Sequence, residues 1–250
     1  MMSSRQPLFI CGCARSGTST LADLLRSHAN IAMGRERYAV RFRQRKTIDA
    51  SLFEPERFCH QLEEGDTHHQ SLDDYYHELY QRFEQCSHIG DKIPKIYEDY
   101  DLWRRAFPGA KFIFLLRNPF DVAHSFEKRA EITKKNGGAW PAERDYQNAI
   151  EEWNLSLSNT VADLAKKDIF VLEYESLYLD DALLSQLFSF MGLPVDNGVN
   201  EFWQKAASVR SKLEASRVIT LDSMQKRFIA RNAHFDLYRQ LIDEAGREIK

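Results

Sequence analysis

Five short apolar runs punctuate the chain, and each stops at or near a glycine, a proline or a cluster of polar residues. The first occupies residues 7–12, bounded by Pro7 and Gly12, and is apolar at nearly every position, as a strand buried on both faces requires. Comparable strands are expected at 30–33, at 88–94, at 110–116 and at 168–173, the fourth of these being the strongest. Between them the apolar spacing changes to a helical one. Leu21, Leu24 and Leu25 share one face of a helix that begins at residue 18. Further helices are expected over 102–107, from about 120, over 146–166 and over 183–191, the last stopping at Gly192-Leu-Pro194. Residues 127–145 are polar and contain Gly137-Gly138, which predicts a loop, and 40–88 reads as helical without a clear strand. Beyond 194 the pattern is helix and loop with many basic residues.

Strands alternating with helices predict an α/β fold: a P-loop-type parallel sheet of about five strands, flanked by helices on both faces. Ligands of such sheets bind beyond the carboxyl ends of the strands, so the residues there carry the functional reading.

Composition narrows the classes. Of 250 residues, 43 % are hydrophobic and 28 % charged, as in ordinary globular proteins. The net charge of -3 gives no overall basic field for nucleic acid or an anionic membrane, so an anionic ligand needs a local cluster of Arg and Lys. Residues 1–7 lack the apolar run of a secretory signal, and no stretch approaches the roughly 20 apolar residues of a membrane span. The cysteines Cys11, Cys13, Cys59 and Cys86 show no disulfide spacing and are expected to be reduced and structural, which points to the cytoplasm. His60, His68, His69 and His77 crowd one region without a completed ligand spacing, so no metal is expected.

Gly12-Cys-Ala-Arg-Ser-Gly17-Thr-Ser has the spacing of a phosphate-binding loop, in which glycines let backbone N–H groups face anionic oxygens and the following helix adds its positive end. Thr18 stands where an ATP- or GTP-hydrolysing loop carries Lys, and the cation is instead Arg15. A glycine-bracketed turn between strand and helix is also common in any parallel sheet. Downstream, Arg117-Asn-Pro119 ends the strongest strand, and Ser125 follows two helical turns later. A planar guanidinium and a hydroxyl suit a phosphate dianion; an Arg capping a strand end beside an incidental Ser is the alternative.

Together these elements resemble the PAPS-dependent sulfotransferases, whose donor loop reads Arg/Lys-x-Gly-Thr and whose 3′-phosphate motif is Arg-(Asp/Asn)-Pro with a Ser eight residues after the Arg. The resemblance implies that Arg15, Ser16, Gly17, Thr18, Ser19 and Thr20 hold the 5′-phosphosulfate of the donor PAPS, and that Arg117 and Ser125 read its 3′-phosphate. It implies sulfuryl transfer to an acceptor hydroxyl (on a carbohydrate, a lipid or another small molecule), with PAP as product and no metal. Glu36, in Gly34-Arg-Glu-Arg37, matches the catalytic Glu of the tyrosylprotein and carbohydrate branches; the alternative is a surface salt-bridge cluster with Arg35 and Arg37. Asp91-Lys92-Ile-Pro94 resembles the Glu-Lys-Thr-Pro element, whose Lys approaches the sulfate or the acceptor, while a solvated Lys at a strand end is the other reading. Tyr174-Glu-Ser-Leu177 and Gly192-Leu-Pro194 resemble family elements that close the sheet and a helix, and Tyr174 joins the donor-side candidates. Arg210, Ser211 and Lys212 match a basic segment that folds over the nucleotide in relatives; a solvated basic turn is equally compatible. The Trp that stacks on adenine in the phenol and steroid branch would fall at Thr20, which sets this chain apart from that branch. The expectation is one sulfotransferase domain over 1–250, with acceptor-facing insertions at about 40–88 and 130–150.

Overall fold

A computed structural model describes residues 5–215 and 219–247; residues 1–4 of the polar amino-terminal stretch lie outside them. Strands β1 (Gln6–Cys11), β2 (Ile31–Arg35), β3 (His88–Lys92), β4 (Lys111–Leu116) and β5 (Ile169–Glu173) form one sheet in the order β2-β3-β1-β4-β5, and every neighbouring pair is parallel.

The apolar runs become strands because both faces of this sheet are covered. Side chains alternate across a strand, so Leu8 and Ile10 of β1 enter one core layer while Phe9 and Cys11 enter the other. Strand β4 divides in the same way, with Ile113 and Leu115 on the first side and Phe112, Phe114 and Leu116 on the second. The first layer is closed by the helix Thr18–Arg26, through Leu21, Leu24 and Leu25, and by Asp181–Met191, through Leu184, Leu187 and Phe188. The second is larger and more aromatic. Trp103 of the helix Tyr100–Ala106 packs on Phe9 with ring centroids 4.6 Å apart, and Trp153 of Tyr146–Asp163 is fully buried. Such pairs add about 0.5–1.5 kcal/mol each beyond the area they bury.

Two expected boundaries move, at 127–145 and at 30–33, while the segment between β2 and β3 is helical without a strand, as expected. The helix Pro119–Asn136 continues through the first half of the expected 127–145 loop and ends at Gly137 (φ 73°), leaving only 137–145 irregular. Its last turns are polar because they face solvent, and Ala130 alone of the residues after Phe126 on this helix is buried. Residues 40–88 fold as separate short helices, Ala39–Arg43, Pro55–Cys59 and Asp74–Arg82, laid against the aromatic layer through Phe42, Phe58, Tyr76 and Leu79. The strand expected at 30–33 runs on to Arg35, and this extension carries the chain to Glu36. All four cysteines are buried and free. Among the described residues no helix is long and apolar enough to cross a membrane, and no group of His, Cys, Asp or Glu is arranged to hold a metal ion.

Candidate active site

Each of the five strands delivers a candidate residue at its carboxyl end: Arg15 after β1, Glu36 after β2, Lys92 closing β3, Arg117 after β4 and Tyr174 after β5. The sequence scatters these residues over 160 positions, and the parallel topology gathers them along one edge of the sheet. A cavity of about 590 Å³ lies there, lined by Arg15, Gly17–Thr20, Glu36, Arg117 and Tyr174, and it extends past Glu36 to Pro94, Lys95, Trp140 and Arg144.

The loop after β1 is shaped by its glycines. Gly12 has φ 142°, and a Cβ there would lie 2.5 Å from the Leu115 carbonyl oxygen of the neighbouring strand. Gly17 has φ 96°, and a Cβ there would overlap the Tyr174 ring. Gly17 is the N-cap of Thr18–Arg26, so no side chain caps the helix, and its first turn holds no acidic residue. The leading N–H groups and the positive helix end are left for an anion. The Ser16 hydroxyl, expected at the ligand, is instead buried without a hydrogen-bond partner and does not line the cavity. The glycines and the open helix end fit the phosphosulfate end of PAPS.

Positive charge converges on the same place. Arg15 Nε donates to Ser125 Oγ at 3.0 Å, and Arg117 Nη1 donates to the Arg15 carbonyl at 2.8 Å. The two halves of the donor reading, loop and strand-end motif, are thus in direct contact. Partial burial, Arg129 and Arg117 all act to lower the Arg15 pKa, with Glu36 opposing. Guanidinium groups crowded in this way favour an anionic ligand. Tyr174 lies between two of them, with Arg117 4.6 Å and Arg210 4.4 Å from its ring centroid. Arg210 also donates to the Tyr174 carbonyl at 3.1 Å. Trp153, expected in the core, donates its indole N–H to the Arg117 carbonyl at 2.9 Å.

The surroundings of Glu36 differ from the sequence expectation. Neither flanking arginine pairs with it. Arg35 pairs with Asp23, whereas Arg37 is buried and donates to the carbonyls of Phe58 (3.1 Å) and Arg57 (3.0 Å) while pairing with Asp66 at 3.2 Å. The cation at Glu36 is Lys92, which is only 1 % exposed and donates to Glu36 Oε1. Lys92 is therefore not a solvated strand-end lysine, and it does not line the cavity; it meets the site through Glu36. The His68 ring lies 3.5 Å from Glu36 Oε2, a neighbour that sequence spacing did not disclose. Burial acts to raise the Glu36 pKa, but Lys92, His68 and His69 outweigh it and hold the carboxyl below its ordinary value.

Arg210, Ser211 and Lys212 lie on the helix Asn197–Ala215 and not on a turn; Arg210 reaches Tyr174, Ser211 and Lys212 are exposed, and none of the three lines the cavity. On the far side of Glu36, sequence reasoning missed the cavity wall. Arg144 pairs with Glu152 through two bonds of 2.8 and 2.6 Å and sits 4.4 Å from the Trp140 ring centroid, and Lys95 pairs with Glu98 at 2.8 Å. These residues come from 93–98 and from the 137–145 loop with the helix behind it, and no motif marks them.

A family model described as "Sulfotransferase family" matches residues 7–197. An uncharacterized protein of Aquifex aeolicus strain VF5 is 25 % identical over 223 residues, covering 83 % of this chain and 28 % of its own length, so the chain spans little more than a quarter of that relative. Among solved structures, the sulfotransferase domain from the curacin biosynthetic pathway superposes with a TM-score of 0.55 at 21 % identity, covering 91 % of this chain and 98 % of that one. Mouse SULT7A1 complexed with PAP gives a TM-score of 0.55 at 14 % identity, covering 98 % and 88 %. At these identities the structural likeness speaks for the fold.

Proposed function

We propose that this chain, which belongs to the sulfotransferase family, moves a sulfuryl group from PAPS to an acceptor hydroxyl, with Glu36 as general base. One observation carries the reading: the donor loop, Arg117 and Glu36 line a single cavity that continues into a wall built by other segments. In mouse SULT7A1 the nucleotide is PAP, which is the product this reading assigns to the present chain.

Arg15, the hydroxyls of Thr18, Ser19 and Thr20, and the first turn of Thr18–Arg26 hold the phosphosulfate end, where fixed donors stabilise charge as it develops on the leaving oxygen. Arg117 and Ser125, tied together through Arg15, read the 3′-phosphate, and Tyr174 keeps the Arg117 and Arg210 guanidinium groups in place. PAPS supplies the sulfuryl group, which passes in-line to the acceptor oxygen as its bond to the 5′-phosphate breaks. Glu36 accepts the acceptor's hydroxyl proton. Lys92 keeps that carboxylate ionised and directed, acting through Glu36 and not by contact with substrate. Positioning of both reactants in one cavity lowers the entropic part of the barrier. The wall formed by Lys95, Glu98, Trp140, Arg144 and Glu152, with Val40, Phe42 and Ile93 beside it, receives the acceptor and offers it both charged and apolar contacts. Residues 1–250 are read as one sulfotransferase domain acting in the cytoplasm, with 40–88 and 130–150 supplying this acceptor side.

Thermal unfolding in the presence of PAP, ADP or ATP, each with and without Mg²⁺, tests the donor assignment. Stabilisation by PAP that is independent of metal and exceeds that by ADP supports it. A preference for Mg²⁺-ATP overturns it.

A further inference from the structure

Glu36 occupies a left-handed backbone conformation (φ 57°) that a non-glycine residue adopts only where the surroundings enforce it. The enforcing group is Asp91. Its side chain is fully buried at the end of β3, paired across the sheet with Gly34 of β2. One carboxylate oxygen accepts the N–H of Arg37 at 3.1 Å and the other accepts the N–H of Tyr38 at 2.9 Å, the two peptides that follow Glu36. Gly34 makes this reach possible, because a Cβ there would lie 2.6 Å from Asp91 Oδ1. The turn is closed from its other side by Glu36 N–H donating to the Lys92 carbonyl at 2.9 Å, and the buried Arg37 side chain anchors it below.

We propose that Asp91 is a positioning residue for sulfuryl transfer: its carboxyl group clamps the 36–38 turn so that Glu36 stays in its strained conformation, against Lys92 and facing the donor loop. Asp91 does not line the cavity and touches neither reactant. The inference rests on Glu36 being the base, and it extends that reading by naming what holds the base in place. It also gives Gly34, Asp91 and Lys92 distinct parts in one device: room, clamp and counter-charge.

The test is Asp91→Asn, with Glu36 followed by carbon-13 NMR titration of its carboxyl and turnover followed by PAP release from PAPS. Asn presents an N–H₂ to one of the two backbone N–H groups, so one bond is lost and the turn relaxes away from Lys92. The Glu36 titration is expected to move up towards the ordinary glutamate value. Burial keeps the Asp91 carboxyl neutral in the range where Glu36 titrates, so Asn removes no charge there and an upward shift reports the turn alone. Turnover is expected to fall about ten- to hundred-fold in kcat with PAP affinity retained. A folded Asp91→Asn whose Glu36 titration stays put or moves down overturns the proposal. If that variant does not fold, Gly34→Ala takes its place, since the added Cβ displaces the Asp91 carboxylate without removing it, and the same upward shift is required. Glu36→Gln separates the two claims. Should it leave turnover intact while Asp91→Asn shifts the titration, the base assignment fails and the clamp stands; should it abolish turnover while Asp91→Asn changes nothing, the clamp fails.

Discussion

Gly17→Ala tests whether the donor loop is built as described. Alanine at φ 96° meets the steric penalty of left-handed backbone, about 1–2 kcal/mol for an L-residue. For a chain of this size each kcal/mol lowers Tm by about 2–4 °C, so backbone strain alone predicts a fall of about 2–8 °C. The added Cβ also overlaps the Tyr174 ring, which must move, and Tyr174 carries Arg117 and Arg210 at 4.6 and 4.4 Å. Each such cation–π contact contributes about 0.5–1 kcal/mol at a partly exposed site, and losing both weakens PAP binding by about ten-fold. Gly109→Ala is the matched control. Gly109 has φ 78°, its Cβ would meet nothing within 4 Å, and it lies outside the cavity. It should lower Tm through strain alone and leave PAP affinity unchanged. Calorimetric titration with PAP and thermal unfolding of both variants decide the matter. Equal PAP affinity in Gly17→Ala and Gly109→Ala would refute the loop geometry and the part given to Tyr174.

Three further outcomes are expected. Arg117→Ala should weaken PAP about ten- to hundred-fold, the size of a lost hydrogen bond to a charged group, and ADP much less; calorimetry showing equal losses for both nucleotides contradicts the 3′-phosphate assignment. Glu36→Gln should lower kcat about 10²–10⁴-fold in a PAP-release assay while PAP affinity holds; an unchanged kcat removes Glu36 from the chemistry. Burial pushes Asp91 up to about 7, against an ordinary 3.8, with the Tyr38 and Arg37 N–H groups and Lys92 opposing and Glu36 adding to the rise. A carboxyl raised in the folded state stabilises most below its ordinary value and loses that contribution as pH rises through 7. The Tm of the wild type relative to Asp91→Asn should therefore increase as pH is lowered from about 8 to about 5, and a difference that is flat or shrinks on acidification contradicts the burial argument.

The sheet was legible because its strands are buried on both faces and so read as unbroken apolar runs. Residues 7–12 and 110–116 became β1 and β4 within a residue or two. The donor loop was legible for a related reason: a strand end, two glycines and a helix start are all local, and so is the run from Arg117 to Ser125. The contact between these two motifs, Arg15 to Ser125 and Arg117 to Arg15, needed the parallel pairing of β1 with β4. The neighbours of Glu36 were hidden for the same kind of reason. Adjacency suggested Arg35 and Arg37, yet the chain turns at Glu36 and carries both away, one to Asp23 and one into a nest of carbonyls some twenty residues downstream. Lys92 and Asp91, over fifty positions away, supply the charge and the hold. The polar end of Pro119–Asn136 misled because composition marks a solvent-facing helix and a loop alike. Trp140, Arg144 and Glu152 belong to no motif, and their grouping follows only from how 137–145 closes against the helix Tyr146–Asp163.

The proposed function requires Glu36 to draw a proton from an acceptor hydroxyl at a PAPS site built by Arg15–Thr20 and Arg117. The decisive assay incubates the purified chain with PAPS and a panel of hydroxyl acceptors, a phenol, a monosaccharide and a long-chain alcohol, without added metal. PAP is counted against the sulfated product by mass spectrometry. PAP and sulfated acceptor are expected in equal amounts, formed without added metal on a hydroxyl acceptor and lost in Glu36→Gln. Turnover of Mg²⁺-ATP with a phosphorylated product, or equal sulfation by wild type and Glu36→Gln, would contradict the proposed function.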